Sequence, residues 1–169
     1  MNNSPIIRFT SGEGTDHQGR RIDEIRAWDD GRLEAVHDYI QWLFPLPEAS
    51  GFNPYAPVLT PEDIVTIRDD PTLRDQVRGS FARLLRFYGY GWERGAVIET
   101  DASRRRAWVT PGNHNFLRIS RILRSLSLLG LREEAAAFLA VLERLAGGEA
   151  GRTIGTLSLH HWRAAVRAT

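Results

Sequence analysis

The sequence has no cysteine and no lysine among its 169 residues. Without cysteine, the chain can form no disulfide and no thiolate metal site, and it has no cysteine nucleophile. All 22 basic residues are arginine, and a net charge of +1 creates no overall field that would attract nucleic acid or a membrane surface. Any site for an anion must therefore come from a local cluster of arginines.

The sequence also lacks a long apolar run. There is no stretch of about 18 apolar residues and no basic segment followed by an apolar one, so we expect neither a membrane span nor a secretory signal. A cytoplasmic protein is the expectation that follows. The length, the 42% hydrophobic content and the 25% charged content predict a single domain over residues 1–169, with residues 1–18 as an extended or mobile lead-in.

Apolar residues recur at helical spacing through most of the chain and predict an all-α fold. The pattern is strongest in Leu33–Pro45, where apolar side chains cover roughly 200° of a helical wheel, against about 100° for a surface helix. We therefore expect a compact bundle of about six helices around this buried central helix. Five of the eight prolines fall in Pro45–Pro61 and predict a long ordered loop. Ala96–Thr100 and Arg106–Thr110 suggest a small β-hairpin.

Three motifs carry a family resemblance. They are HDYIQWLFPLPE (His37–Glu48), FYG (Phe87–Gly89) and NHNFLRISRILRSLSLLGL (Asn113–Leu131). In this order they resemble the conserved region of the opioid growth factor receptor family, and the likeness runs from about Gly19 to the C-terminal helix. The resemblance implies a receptor-like domain. The animal receptor binds an enkephalin peptide, restrains growth and is placed in or near the nucleus, and it carries tails and repeats outside the shared region.

One strip of the predicted central helix is polar and needs hydrogen-bonding partners. The strip consists of Glu34, His37, Asp38 and Gln41. On a later helix, Arg118, Arg121 and Arg124 are spaced three residues apart and therefore lie along one edge. Guanidinium groups bind carboxylates through two parallel hydrogen bonds. We therefore predict that the two helices pack, and that a cleft forms above this polar floor and beneath the proline-rich loop.

The residues of this cleft form the predicted ligand-binding site. They are Trp42, Tyr55, His37, Asp38, Arg118 and Arg121. The aromatic pair, with Phe52 as a further wall, would contact apolar groups of a ligand, and the two arginines would bind an anionic group. His37 and Asp38 would hold those arginines in place. The predicted function is non-catalytic recognition of a peptide or small ligand, and the family resemblance implies that an enkephalin-like peptide is a candidate.

Two alternatives remain open. The first is binding of nucleic acid or another polyanion through the arginine run and the arginine helix edge, with Trp92 and Trp108 stacking on bases. The residues proposed for it are Arg104, Arg105, Arg106 and Arg124, beside the two arginines of the cleft. The second alternative is a purely structural interaction domain, in which the polar strip forms an ion-pair network between two core helices.

Patterns for catalysis are weak. Glu34 and His37 have the spacing found in di-iron carboxylate bundles, but no second Glu-x-x-His copy accompanies them. The serines lack a nucleophile elbow, and there is no glycine-rich phosphate loop. The sequence thus predicts no catalytic residue, no metal ligand and no cofactor. It favours a non-catalytic role, and it does not decide whether the protein has an enzymatic activity.

Overall fold

In the computed structural model, residues 2–167 are described, and they contain ten helices and one two-stranded antiparallel sheet. The predicted all-α class is confirmed, and so is the presence of a small hairpin. Backbone contacts divide the chain into two units, Met1–Ser80 and Phe81–Thr169, and each unit is described by itself. The expectation of a single domain over residues 1–169 stays a prediction.

The first unit is built from short helices. They are α1 (Pro5–Ser11), α2 (Ile22–Arg26), α3 (Asp30–Ala35), α4 (Ile40–Leu43), α5 (Pro61–Asp69) and the first part of α6 (Pro71–Tyr88). Side-chain oxygens of Ser4, Asp29 and Thr60 each accept a hydrogen bond from the backbone N–H three residues later. These bonds satisfy amides that a helix start leaves without partners. The sequence itself predicts the starts of α5 and α6, because Thr60 can cap a helix and proline at positions 61 and 71 suits the first helical residue.

Residues 1–18 were expected to be an extended or mobile lead-in, and this expectation is corrected. The segment contains helix α1, whose Ile6, Ile7 and Phe9 side chains are buried. The side chains of Asn2 and Ser4 donate hydrogen bonds to Asp63 Oδ1 on α5, at 2.8 and 2.6 Å. The segment therefore contributes apolar side chains to the core of the first unit, while Met1 lies outside the described residues.

The central helix predicted over Leu33–Pro45 is wrong as a continuous element. Helix α3 ends before Val36, which is extended with φ −94° and ψ 133°, and α4 begins only at Ile40. The break allows the fully buried Tyr39 to donate its hydroxyl hydrogen to the carbonyl oxygen of Leu33, at 2.9 Å. A buried tyrosine needs such a partner, and a carbonyl near a helix end is free to accept one. The helical wheel had assumed a helix without this break.

The second unit combines the hairpin with longer helices. After the end of α6 come β1 (Tyr90–Glu93), β2 (Ala96–Glu99), α7 (Ala102–Trp108), α8 (Asn115–Leu128), α9 (Arg132–Ala146) and α10 (Gly151–Arg167), which is interrupted at Gly155. The core lies among the last three helices. Trp162 of α10 is fully buried and donates its indole N–H to the carbonyl oxygen of Phe116 on α8, at 3.0 Å.

The hairpin uses a different strand from the one predicted. Strand β2 pairs with β1, with Tyr90 opposite Glu99, instead of pairing with Arg106–Thr110. Arg94 and Gly95 both have positive φ and form the tight turn that matches the twist of a hairpin. Asp101 then caps α7 by accepting hydrogen bonds from the next residues, so the predicted second strand begins as helix. The arginine run consequently lies on α7.

No helix within residues 2–167 combines the length and the apolar character that a bilayer crossing demands.

The first testable prediction concerns Asp63, which is buried and joins α5 to the N-terminal segment. Burial alone would raise the pKa of its carboxyl, but hydrogen bonds from Ser4, Thr60 and Asn2 outweigh burial and hold that pKa below the ordinary value. We expect Asp63→Ala to lower the free energy of unfolding by about 2–3 kcal/mol at neutral pH, measured by urea denaturation.

The pH dependence follows from the lowered pKa of Asp63. Its stabilising contribution is complete above the ordinary carboxyl pKa of 3.8 and is lost as the pH falls through the folded-state pKa. The difference between Asp63→Ala and the parent chain should therefore shrink in acid. Glu62→Ala, at the exposed neighbouring position, should change stability by less than about 0.5 kcal/mol. An equally small effect of Asp63→Ala would contradict the proposed role.

Candidate ligand-binding site

His17 is the centre of an aromatic and polar cluster in the first unit. Its ring stacks on Tyr55, with centroids 5.4 Å apart and planes inclined by 11°. The ring of Trp42 is nearly parallel to it, and the Trp42 indole N–H donates a hydrogen bond to His17 Nδ1 at 3.1 Å. Trp42 also contacts Phe9 of α1 edge to face, at 5.3 Å between centroids. The cluster is therefore anchored in the core on its Trp42 side.

The other nitrogen of His17 faces a carboxylate. His17 Nε2 lies 3.3 Å from Asp38 Oδ2, and Arg20 Nη2 donates to Asp38 Oδ1 at 2.9 Å. The same guanidinium donates through Nε to Asp16 Oδ2 at 2.6 Å. Asp16 is buried, and its other oxygen accepts the backbone N–H groups of Gln18 and Arg20. One arginine thus joins two carboxylates and fixes the loop that carries His17.

Asn53 ties the proline-rich loop to this cluster. Its side chain is buried and donates to the carbonyl oxygen of Asp38 at 3.3 Å and to Gln41 Oε1 at 3.5 Å. Asn53 Oδ1 accepts the backbone N–H of Tyr55, which forms a tight turn. The loop is therefore ordered by a buried amide, in addition to the buried Leu59 near its end.

The loop exposes two aromatic residues. Phe52 is 89% exposed and Tyr55 is 69% exposed, whereas Trp42 is only 7% exposed. Such large aromatic groups at a surface are costly unless a partner covers them. Phe52 and Tyr55 lie on either side of Asn53, so the buried amide holds the backbone of the loop that carries both rings.

The structure brings together only part of the predicted ligand-binding set. Trp42, Tyr55 and Asp38 meet around His17. His37 is exposed, and its carbonyl oxygen accepts a hydrogen bond from Gln41 Nε2 at 3.3 Å. Asp38 forms an ion pair with Arg20, which belongs to the same unit.

The two predicted anion-binding arginines lie in the second unit. Arg118 is buried on α8, with Nη1 3.5 Å from Asn115 Oδ1, and Arg121 is half-buried on the same helix. A cleft that would join these arginines to Trp42 and Tyr55 stays a prediction.

Sequence reasoning missed His17 and Asp16 because residues 1–18 were treated as a lead-in, and it did not consider Arg20 as a site residue. A local signal was available. An aspartate followed closely by glycine, as in Asp16 to Gly19, is typical of a turn in which the carboxylate accepts nearby backbone N–H groups. The sequence contained no signal that the imidazole of this turn would bind an indole N–H 25 residues later.

The residues proposed for polyanion binding are only partly available. Arg104 and Arg106 are exposed on α7, Arg124 is half-buried on α8, and Arg105 Nε donates to Glu99 Oε2 at 2.5 Å. Trp108 is buried and donates its indole N–H to the carbonyl oxygen of Tyr88. The prediction that Trp108 stacks on bases is therefore wrong, because its ring is enclosed by the core.

Metal-binding groups were not predicted, and within residues 2–167 no three histidine or carboxylate side chains are grouped so that they could hold a metal ion. The Glu34-x-x-His37 spacing therefore gains no further ligands from the described part of the fold.

Comparison with known proteins decides the family. The family described as the opioid growth factor receptor (OGFr) conserved region matches residues 12–168. The chain belongs to this family. The match includes the turn of His17 and Arg20, the proline-rich loop and both arginine-bearing helices of the second unit. It confirms the resemblance predicted from the three motifs.

Similar proteins within the family come from vertebrates. The chain is 37% identical to the opioid growth factor receptor of Rattus norvegicus over 120 residues, which cover 68% of this chain and 20% of the relative. It is 36% identical to the human opioid growth factor receptor over 115 residues, covering 64% of this chain and 17% of the relative. The opioid growth factor receptor-like protein 1 of Xenopus tropicalis is 36% identical over 118 residues, covering 66% of this chain and 23% of the relative.

The chain therefore spans about a fifth of the length of these relatives. It corresponds to the conserved region that they share. No solved structure matches the chain significantly.

The second testable prediction concerns the protonation of His17. Because Nδ1 accepts the Trp42 N–H, neutral His17 must carry its hydrogen on Nε2, where it faces Asp38. We expect long-range ¹⁵N–¹H NMR to show the Nε2–H form as the dominant tautomer of neutral His17.

Controls for this measurement are present in the chain. Trp42→Phe removes the indole donor and should raise the fraction of the Nδ1–H tautomer of His17, while Asp38 still favours hydrogen on Nε2. His160 and His161 are exposed and serve as reference imidazoles in the same spectrum. A dominant Nδ1–H form of His17 in the parent chain would be inconsistent with the hydrogen bond from Trp42.

Proposed function

We propose that this chain is a non-catalytic recognition domain that binds a peptide or small ligand at the surface around His17. The observation that carries the proposal is the pair of exposed aromatic rings, Phe52 and Tyr55, beside an ordered cluster of charged groups. Membership in a family whose members are named receptors supports a receptor-like role. The binding activity is the proposed step beyond that membership.

The aromatic residues supply the apolar part of the proposed site. Asn53 fixes the backbone between Phe52 and Tyr55, and Tyr55 stacks on His17. Rings that are already positioned lose little conformational freedom when a ligand covers them, which makes aromatic residues effective contacts at binding surfaces. An aromatic or branched apolar group on the ligand would remove both rings from water.

The carboxylates supply the polar part. Asp38 keeps 34% of its side chain exposed while Arg20 and His17 hold it in place. The cluster contains two carboxylates, one guanidinium and one imidazole, so its charge favours a cationic group on the ligand. An enkephalin-like peptide combines aromatic side chains with charged ends and therefore meets both requirements.

The third testable prediction uses an enkephalin pentapeptide as the probe. We expect the parent chain to bind this peptide. Tyr55→Ala should weaken that binding at least tenfold, about 1.4 kcal/mol, because Tyr55 is an exposed aromatic residue whose ring is held by stacking on His17. Isothermal titration calorimetry measures the affinity, and tryptophan fluorescence reports changes near Trp42. N-acetylation of the peptide should also weaken binding, since it removes the ammonium group proposed to approach Asp38.

Matched variants separate this site from other surfaces. Trp92→Ala removes a partly exposed aromatic residue of the second unit and should leave the affinity unchanged. Absence of binding, or equal affinity for the parent chain and Tyr55→Ala, would contradict the proposal.

The alternative function, binding of nucleic acid or another polyanion, is tested by a parallel measurement. Filter binding of DNA and RNA at rising salt would reveal phosphate contacts, because such contacts weaken steeply with salt. Tight, salt-sensitive binding that falls in an Arg104→Ala/Arg106→Ala double variant, together with no peptide binding, would replace the proposed function by this alternative.

A further inference from the structure

A groove of about 630 Å³ lies in the second unit, between the β-hairpin, α7 and the C-terminal part of α9. Its volume falls within the range typical of small-ligand sites. Of the residues that the sequence analysis proposed for any ligand, only Arg105 lines it. The other residues that line the groove were therefore not proposed from the sequence as ligand contacts.

The wall of the groove is apolar. Val97 of β2 and Val141 of α9 are buried, and Leu145 follows Val141 by one helical turn, so both α9 side chains lie on the same face. Tyr90 of β1 also lines the groove, and its ring contacts Phe138 edge to face, at 6.4 Å between centroids. A ligand would therefore meet a firm hydrophobic surface along one side.

Two guanidinium groups lie on the lining. Arg105 is held by Glu99 through its Nε, which leaves the two terminal nitrogens and their four N–H groups available for a ligand. Arg144 is exposed on α9, and its side chain has no ion-pair partner within residues 2–167. Both guanidinium groups line the groove together with Tyr90.

The Tyr90 phenol is a neutral donor at the base of this region. Burial, with a contribution from Glu99, raises the pKa of Tyr90 to about 12, so the hydroxyl keeps its hydrogen at physiological pH. Beside the two arginines it offers a third donor to an anionic group, and a carboxylate has enough lone pairs to accept from all three.

The lining of the groove also includes negatively charged groups. Gly148, Glu149 and Ala150 belong to it, just beyond the C-terminus of α9 at Ala146. The last carbonyl groups of a helix carry partial negative charge, and the exposed Glu149 adds a full one. A cationic group is therefore favoured beside Glu149.

We propose that this groove binds a small ampholyte with an apolar body, that is, a free apolar amino acid or a short peptide. Arg105, Arg144 and the Tyr90 hydroxyl bind its carboxylate, Glu149 and the end of α9 bind its ammonium group, and Val97 and Val141 contact its apolar side chain. The proposal is independent of the function proposed for the His17 surface, because every lining residue belongs to the second unit.

The fourth testable prediction is an NMR titration of the ¹⁵N-labelled chain with L-leucine, dileucine and trileucine. We expect saturable shifts of the Val97, Val141 and Gly148 amides, and the length that binds best distinguishes a free amino acid from a peptide. N-acetyl-leucine and leucinamide each lack one charge and should bind at least tenfold more weakly than leucine, and the acetylated and amidated forms of dileucine should show the same loss. Binding of leucine or dileucine with this dependence on both charges supports the proposal.

Variants of the groove sharpen the test. Arg144→Gln should lower the affinity for the preferred ligand at least tenfold. It should also reduce the loss of affinity caused by amidation, because the contact with the ligand's carboxylate is already missing. Glu149→Gln should reduce the loss caused by acetylation in the same way. Arg132→Gln, which removes an exposed arginine at the other end of α9, is the matched control and should leave the affinity unchanged. Thermal unfolding by circular dichroism confirms that each variant is folded.

Two results would overturn the proposal. One is the absence of shifts in the groove amides at about 10 mM of each ligand, which corresponds to binding too weak to be specific. The other is binding that acetylation, amidation and Arg144→Gln all leave unchanged. Tyr55→Ala should not alter leucine binding, so failure of the groove and failure of the His17 surface give distinguishable results.

Discussion

The cluster in the first unit depends on one guanidinium group. Arg20 donates to Asp16 and Asp38, and its Cζ lies 5.3 Å from the centroid of the Trp28 ring. Asp16 is buried, and removing one partner of a buried ion pair costs roughly 3–5 kcal/mol because the other charge is left without compensation. This pairing fixes the turn that carries His17, and the aromatic contacts of the proposed site follow from the position of that turn.

The two candidate sites differ in how their charges are used. Around His17 the carboxylate of Asp38 is already bound by Arg20, so a ligand would meet a preformed pair beside exposed rings. In the groove of the second unit Arg144 and Glu149 are available, and only Arg105 is held by a neighbour. At the His17 surface, the preformed ion pair lowers the entropy lost when a ligand binds. In the groove, Arg144 and Glu149 gain more electrostatic stabilisation from a ligand that carries the opposite charges.

Local sequence signals predicted the elements whose causes are local. The starts of α5 and α6 at Pro61 and Pro71, the capping by Thr60 and the class of the fold were all foreseen. The hairpin was foreseen with the wrong partner strand, because the turn at Arg94 and Gly95 depends on positive φ at two residues, of which only the glycine is a usual signal. The periodicity of Leu33–Pro45 was misleading, because a helical wheel cannot show a break in the helix. The break between α3 and α4 is where the buried Tyr39 hydroxyl donates to the carbonyl oxygen of Leu33.

The sequence by itself determined the family, through motifs that stay recognisable without a structure, and it determined the mostly helical character through periodicity. It also identified Trp42, Tyr55 and Asp38 as residues of interest. Only the tertiary structure decided that they meet at His17. The reason is physical: a hydrogen bond or an ion pair is satisfied by whichever group the folded chain brings within about 3 Å, and that partner need not be near in sequence.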